Sequence, residues 1–171
     1  DRGALPLLEH TNLGFAGPAT AFAVHVHALA PPGTILVRPG VFMAYGDWFT
    51  IELAGPGGHA SQPHLVGNPV EAAGEITLRL RDCVAEVGRG EAVVATVTES
   101  RSGNTVNVIP AEGRLRGTLR TLTPQTRTAL IGAMHTLVAH VAEQHRLTGR
   151  LTIHEGYPAV VNDAGFINRI S

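Results

Sequence analysis

The feature that most narrows the folds open to this chain is the order in which its hydrophobic periodicity changes. Phe49, Ile51 and Leu53 alternate with Thr50 and Glu52, the period of a half-buried strand. From Asn68 to Val87 the apolar residues Val70, Ala73, Ile76, Leu80 and Val84 recur at three- and four-residue steps, which predicts a helix with one apolar face. Gly88-Arg89-Gly90 closes that helix. Residues 92–99 return to period two, with Val93, Ala95 and Val97 opposed to Val94, Thr96 and Thr98, and Ser102-Gly103-Asn104 turns the chain. Residues 113–122 set Leu115, Gly117 and Leu119 inward against Arg114, Arg116, Thr118 and Arg120. Thr123-Pro124 opens a second helix with the stripe Leu130, Met134, Leu137, Val138 and Val141. Gly149 is expected to close it, and Leu151 with Ile153 mark a fourth strand. Strand-helix-strand-strand-helix-strand predicts an α+β, ferredoxin-like βαββαβ sandwich, a four-stranded antiparallel sheet with both helices on one face. The helix-free face carries Thr, Arg and Glu and is open to a partner.

The first forty-odd residues are of another kind. Arg2 to His10 reads as the end of a helix, and Thr11 to Thr20 as a loop. Ala21 to Ala28 reads as a short buried strand running into the turn Pro31-Pro32-Gly33-Thr34, and Ile35 to Val37 as a brief extension. These pieces are too little for a domain of their own and read as the edge of a neighbour, an α/β domain represented only in part.

Charge and cysteine usage exclude several classes of partner. Thirteen basic and fourteen acidic residues give a net charge of -1 without like-charge runs, which argues against nucleic acid or an anionic membrane surface. The single Cys83 excludes an internal disulfide, falls inside a helical pattern as a small core residue, and suits a reducing, cytoplasmic setting. No apolar run reaches membrane-spanning length.

Between the first strand and the first helix lies Gly57-Gly58-His59-Ala60-Ser61-Gln62-Pro63-His64. The glycines permit a tight turn that presents His59 outward. Asn68 is placed to cap the helix, Pro69 suits its first turn, and Glu71 completes an Asn-x-x-Glu capping box. A histidine held between two rigid elements is how functional side chains are mounted, and equally how ordinary surface loops are built. His25 and His27, two apart on the expected strand, would face one way and could share a metal. No Cys or carboxylate stands nearby to complete a ligand set, and a hydrogen-bonded pair accounts for them as well. His135, His140 and His145 are spaced by fives, about 140° around a helix, so they cannot share a face and read as solvent or rim residues.

The stretch from Gly57 to His64, with Asn68-Pro69-Val70 behind it, resembles the lid-domain motif of a metallopeptidase family. That family includes aminoacylases, hippurate and other N-acyl-amino-acid amidohydrolases, succinyl-diaminopimelate desuccinylase and glutamate carboxypeptidase. Asn107-Val108-Ile109-Pro110 and Gly117-Thr118-Leu119-Arg120 resemble two further family segments. Phe22-Ala23-Val24-His25, followed by Pro32-Gly33-Thr34-Ile35, is similar to the strand that precedes the lid. Tyr157-Pro158 and Asn162-Asp163 are similar to the segment that leaves it. The similarity spans essentially the whole chain and is greatest to the amidohydrolase branch.

The resemblance implies a dinuclear metal hydrolase, usually with zinc and sometimes with manganese or cobalt, acting on small N-acyl amino acids or peptides as a homodimer joined through the lid. It implies that residues 1–43 belong to the catalytic domain, 44–160 to the lid and 161–171 to the return towards the catalytic domain. By position it assigns His25 as a metal ligand and leaves His27 structural. It assigns His59 as the lid histidine that reaches the partner's active site to stabilise an oxyanion, and Asn107 and Arg120 as substrate contacts. Asn107 serves equally well as a turn cap, and Arg120 as an exposed strand charge. The family's remaining metal ligands and its catalytic glutamate are expected before residue 1 and after residue 171. This chain alone is therefore expected to be inactive and to hold no metal tightly. Two other classes stay open: a dimerisation module without catalytic part, and a small-molecule-binding regulatory domain.

Overall fold

The computed structural model of the protein describes residues 20–170. The helix end expected over Arg2 to His10 and nearly all of the loop that follows lie outside them. The chain divides into two compact units between residues 36 and 37.

In the first unit, residues 20–36 are extended chain with two turns, closed by Ala30 N–H to the His27 carbonyl (3.1 Å) and Thr34 N–H to the Pro31 carbonyl (3.2 Å). The buried strand expected over Ala21 to Ala28 is not formed. Phe22, Val24 and Val26 are 79%, 90% and 88% exposed. Apolarity alone does not make a strand. Its backbone groups need a neighbouring strand, and none pairs with this segment among the described residues. Ile35 to Val37 is likewise unpaired.

The second unit holds the predicted architecture. A short strand β1 (Gly40–Met43) leads into β2 (Tyr45–Ala54), followed by β3 (Gly58–His59) and a 3₁₀ turn over Pro63–Leu65. Helix α1 (Pro69–Val87) is followed by β4 (Val94–Ser102), β5 (Val108–Ile109) and β6 (Glu112–Thr121). Helix α2 (Pro124–Gln144), β7 (Thr148–Tyr157), β8 (Val160–Asn162) and α3 (Ala164–Ile170) complete it. The main sheet runs β4-β6-β2-β7, antiparallel throughout, with α1 and α2 packed together on one face. This is the ferredoxin-like order. β1 pairs with β8 in a separate ribbon where the chain enters and leaves the sandwich, and the Asn162 side-chain amide ties it to the Arg38 carbonyl at 3.0 Å.

The core follows the periodicities. Phe49, Ile51, Leu53, Leu115, Leu119 and Leu151 cover the inner face of the sheet. Ala72, Ala73, Ile76 and Leu80 of α1 and Leu130, Met134, Val138 and Val141 of α2 pack over them. Burying each large side chain contributes about 1.5–3 kcal/mol, and this pays for ordering the strands. Gly117 sits under the Phe49 ring, where an added methyl would overlap both the ring and the Thr96 carbonyl oxygen.

Three local expectations need correction. Val70 is 48% exposed, and the buried stripe of α1 runs instead through Pro69, Ala72, Ala73, Ile76 and Leu80. Asn68 does cap α1, its Oδ1 accepting the Val70 N–H at 3.1 Å, but Glu71 forms no capping box and its carboxylate faces His145 Nδ1 at 4.0 Å. Gly149 does not close α2. The helix ends at Gln144, and Gly149 lies in β7, where an added Cβ would come within 2.7 Å of Ala142. The left-handed residue that ends α2 is Arg146, with φ 56°. Its N–H bonds to the Glu143 carbonyl and that of Leu147 to the Ala142 carbonyl, the Schellman pattern in which glycine is usual. Among the three histidines of this region, His145 is a partly buried rim residue, its Nε2 2.9 Å from Glu75.

Candidate functional site

The site is built where β2 stops. Gly57, at φ 66°, turns the chain so that β3 pairs with β5, placing His59 opposite Val108. The Ala60 N–H then bonds to the Asn107 carbonyl at 3.0 Å, so two of the sequence-predicted site residues are joined on one ribbon. Beyond it the Gln62 N–H returns to the His59 carbonyl at 2.9 Å. Arg146 reaches across from the end of α2 and donates from Nη1 to the His64 carbonyl (2.9 Å) and from Nη2 to the Val66 carbonyl (3.1 Å). Gly67 is buried there, where any side chain would overlap the His145 carbonyl. The loop is therefore anchored at β5, at the α2 terminus and at the α1 cap.

On this mount the His59 ring is exposed. Its Nδ1 lies 3.2 Å from the Ser61 backbone N–H and 2.8 Å from Ser61 Oγ. Asn107 is also exposed, and its Oδ1 accepts from Thr105 Oγ1 at 3.3 Å, which leaves the amide NH₂ without a partner among the described residues. Fixed donors at an exposed edge are suited to stabilising negative charge on a substrate oxygen.

Arg120 lies elsewhere. It sits at the far end of β6, eight residues or about 26 Å along the strand from Glu112, where the ribbon to Asn107 begins. Its Nη1 donates to the Leu119 carbonyl (2.7 Å), the Asp47 carbonyl (3.4 Å) and Thr118 Oγ1. Nε and Nη2 have no partner among the described residues and are left for a ligand such as a carboxylate. The structure thus brings His59 and Asn107 together and sets Arg120 apart.

His25 belongs to the first unit and is exposed. Its Nδ1 lies 2.6 Å from the Val26 carbonyl oxygen, which can only accept, so Nδ1 carries the proton and Nε2 keeps a free lone pair. One such donor does not hold a metal. Among the described residues no three His, Cys, Asp or Glu side chains converge on a common point, so they do not by themselves fit a dinuclear centre.

Sequence reasoning missed Asp47 and Arg146. Asp47 is 3% exposed and continues the inward phase of Phe49, Ile51 and Leu53 by one step, a signal that extending the alternation backwards reveals. Nothing local marks Arg146, whose partners His64 and Val66 are eighty or more residues away. Cys83 is half-buried, and burial pushes its thiol pKa up, as suits a packing residue.

Comparison with known proteins identifies the family of the fold. The family model of the peptidase dimerisation domain covers residues 46–146, and the chain belongs to that family. The chain is 31% identical over 97% of its length to an N-acetyldiaminopimelate deacetylase of Anoxybacillus flavithermus. It is 32% identical over 99% of its length to an N-acetylcysteine deacetylase of Bacillus subtilis. It spans 44% of the length of each of these curated relatives. Among solved structures it resembles a proposed aminohydrolase of methicillin resistant Staphylococcus aureus, with TM-score 0.73 and 25% identity, over 78% of this chain and 36% of that one. It also resembles the YXEP protein of Bacillus subtilis, a dinuclear metal binding peptidase, with TM-score 0.59 and 26% identity, over 77% and 32% of the two chains. Among the described residues no helix is long and apolar enough to cross a membrane.

Proposed function

We propose that this chain is the lid and dimerisation part of a metal-dependent amidohydrolase that cleaves the amide bond of N-acyl amino acids or similar small substrates, acting as a homodimer in the cytoplasm. Membership of the peptidase dimerisation family and similarity to two deacetylases support it. The observation that carries it is the separation of the candidate residues. Two donors, His59 and Asn107, stand together beyond one end of the sheet, and Arg120 stands at the other. The strand β6 alone runs about 26 Å from Glu112, next to the His59–Asn107 ribbon, to Arg120, longer than an N-acyl amino acid, which favours the two groups meeting one substrate from different protomers of a two-fold dimer.

In this reading the His59 imidazole N–H and the Asn107 amide of one protomer stabilise the oxygen of the scissile carbonyl as it becomes an oxyanion in the partner's site. Arg120 of the protomer that holds the substrate pairs with the amino-acid carboxylate. His25, with Nε2 free, supplies one ligand of a two-metal centre, zinc, manganese or cobalt, whose other ligands lie elsewhere in the whole protein. When bound, such a centre polarises the carbonyl and lowers the pKa of a water. In this reading the lid is residues 44–160, with residues 1–43 and 161–171 on the catalytic side, and the pairing of β1 with β8 beside both bounds supports it.

The test is a panel of N-acetyl amino acids offered to the intact protein with and without divalent metal. Amide hydrolysis that a chelator abolishes and added metal restores is expected. Hydrolysis of no member of the panel, with metal present, would overturn the assignment.

A further inference from the structure

The contacts of His59 contain more than its exposure. A backbone N–H can only donate, so the 3.2 Å contact from the Ser61 N–H fixes His59 Nδ1 as an acceptor. A ring nitrogen that accepts carries no proton, and in the neutral imidazole the proton must then sit on Nε2. Ser61 Oγ stands 2.8 Å from the same Nδ1, closer than the backbone nitrogen, and its hydroxyl hydrogen is free to point there. Both donors of one residue converge on one lone pair.

We propose that Ser61 is a positioning residue for His59: its N–H and hydroxyl together hold the imidazole as the Nε2–H tautomer, with that N–H directed away from the loop as a ready donor. This rests on the reading of His59 as an oxyanion donor and adds how the donor is prepared. With Nδ1 occupied from within the loop, Nε2–H is the one donor His59 offers outward. A ring free to exchange tautomers would present a bare lone pair to the substrate oxygen part of the time, and two lone pairs repel. The loop keeps the geometry stiff. Its Gln62 N–H is bonded to the His59 carbonyl (2.9 Å) and its Ala60 N–H to the Asn107 carbonyl (3.0 Å), so residues 59–62 form one tight turn tied to the ribbon.

The experiment uses the intact protein labelled with ¹⁵N in the histidine rings, with long-range proton–nitrogen correlation read at neutral pH, alongside steady-state kinetics. The expected spectrum gives His59 a pyrrole-like Nε2 and a pyridine-like Nδ1. Ser61→Ala should raise the Nδ1–H population and lower kcat about tenfold, the scale of one lost hydrogen bond, with KM little changed. Ser61→Thr should restore both, and Ser61→Ala should cost nothing further when His59 is already alanine. A pyrrole-like Nδ1 in the unmodified protein would overturn the proposal. So would a Ser61→Ala variant with unchanged tautomer and full kcat while His59→Ala is severely impaired. If His59→Ala itself keeps full kcat, the oxyanion reading falls, and the spectrum still decides whether Ser61 sets the tautomer.

Discussion

Asp47 on β2 and Arg127 on α2 form a two-point ion pair, Nε to Oδ2 at 2.6 Å and Nη2 to Oδ1 at 3.2 Å. The same Oδ1 accepts the Gly156 N–H at 3.1 Å, so one buried carboxylate ties the central strand, a helix and the edge strand β7. The pairing raises the Arg127 pKa, first through its hydrogen bond to Asp47, and keeps the guanidinium charged. Asp47→Ala leaves Arg127 with the exposed Glu155 and the Tyr45 ring, 6.0 Å away, and orphans the Gly156 N–H. A loss of about 3–5 kcal/mol in unfolding free energy is expected from urea titration, the usual cost of breaking a buried pair from one side. A loss below about 1 kcal/mol would show that the pair is solvated.

Phe49 and Gly117 are partners across β2 and β6, and the Phe49 ring covers the glycine. Gly117→Ala places a methyl into the Phe49 ring and the Thr96 carbonyl, so the ring must move. Overpacking of this kind costs about 1–3 kcal/mol. The urea midpoint should fall accordingly, and shortening Phe49 to Leu in the same chain should recover part of the loss, since the two sites are in contact.

Glu75 on α1 bonds to His145 Nε2 (2.9 Å) and Arg79 Nη1 (2.8 Å), and these bonds hold its carboxyl below its ordinary 4.5. A depressed folded-state pKa stabilises the fold above the unfolded value, and that contribution is lost as pH falls through the folded one. The stability difference between the unmodified chain and Glu75→Gln should therefore be present above pH 4.5 and shrink as pH drops below it. Thermal melts of both proteins across pH 3 to 7, as an order-of-magnitude window, measure it. A difference that grows towards acid contradicts the pairing.

Arg146 occupies the left-handed position where glycine would cost least, and its side chain clamps the carbonyls of His64 and Val66. Arg146→Gly should relieve backbone strain of about 1 kcal/mol while releasing the loop, and Arg146→Ala should release the loop without the relief. Amide exchange over residues 60–67 should quicken in both variants. If exchange there is unchanged, Arg146 is not the clamp.

The four long strands and two long helices were legible because each repeats its own period over at least nine residues against a common core. The His59 mount was legible in Gly57 and Asn68, whose φ 66° and cap bond are local properties. What was not legible depends on distant partners. Ala21 to Ala28 has the composition of a strand, but pairing is decided by another segment. Gly149 looked like a helix stop because glycine suits both a left-handed turn and close packing, and here it serves the packing. That Arg120 and the His59 ribbon lie towards opposite ends of β6 followed only once the pairing of β3 with β5 was known.

The most direct test of a shared site is complementation between two damaged protomers of the intact protein, one carrying His59→Ala and the other Arg120→Ala. If each site takes His59 and Arg120 from different chains, each homodimer is crippled. Loss of one preorganised donor costs about 10²–10³ in kcat. The mixed dimer then contains one complete site and should regain about half of the unmodified turnover per dimer, because one of its two sites escapes both changes. A mixed dimer no more active than its parents would place both residues in the same chain's site, or in none, and would contradict the account.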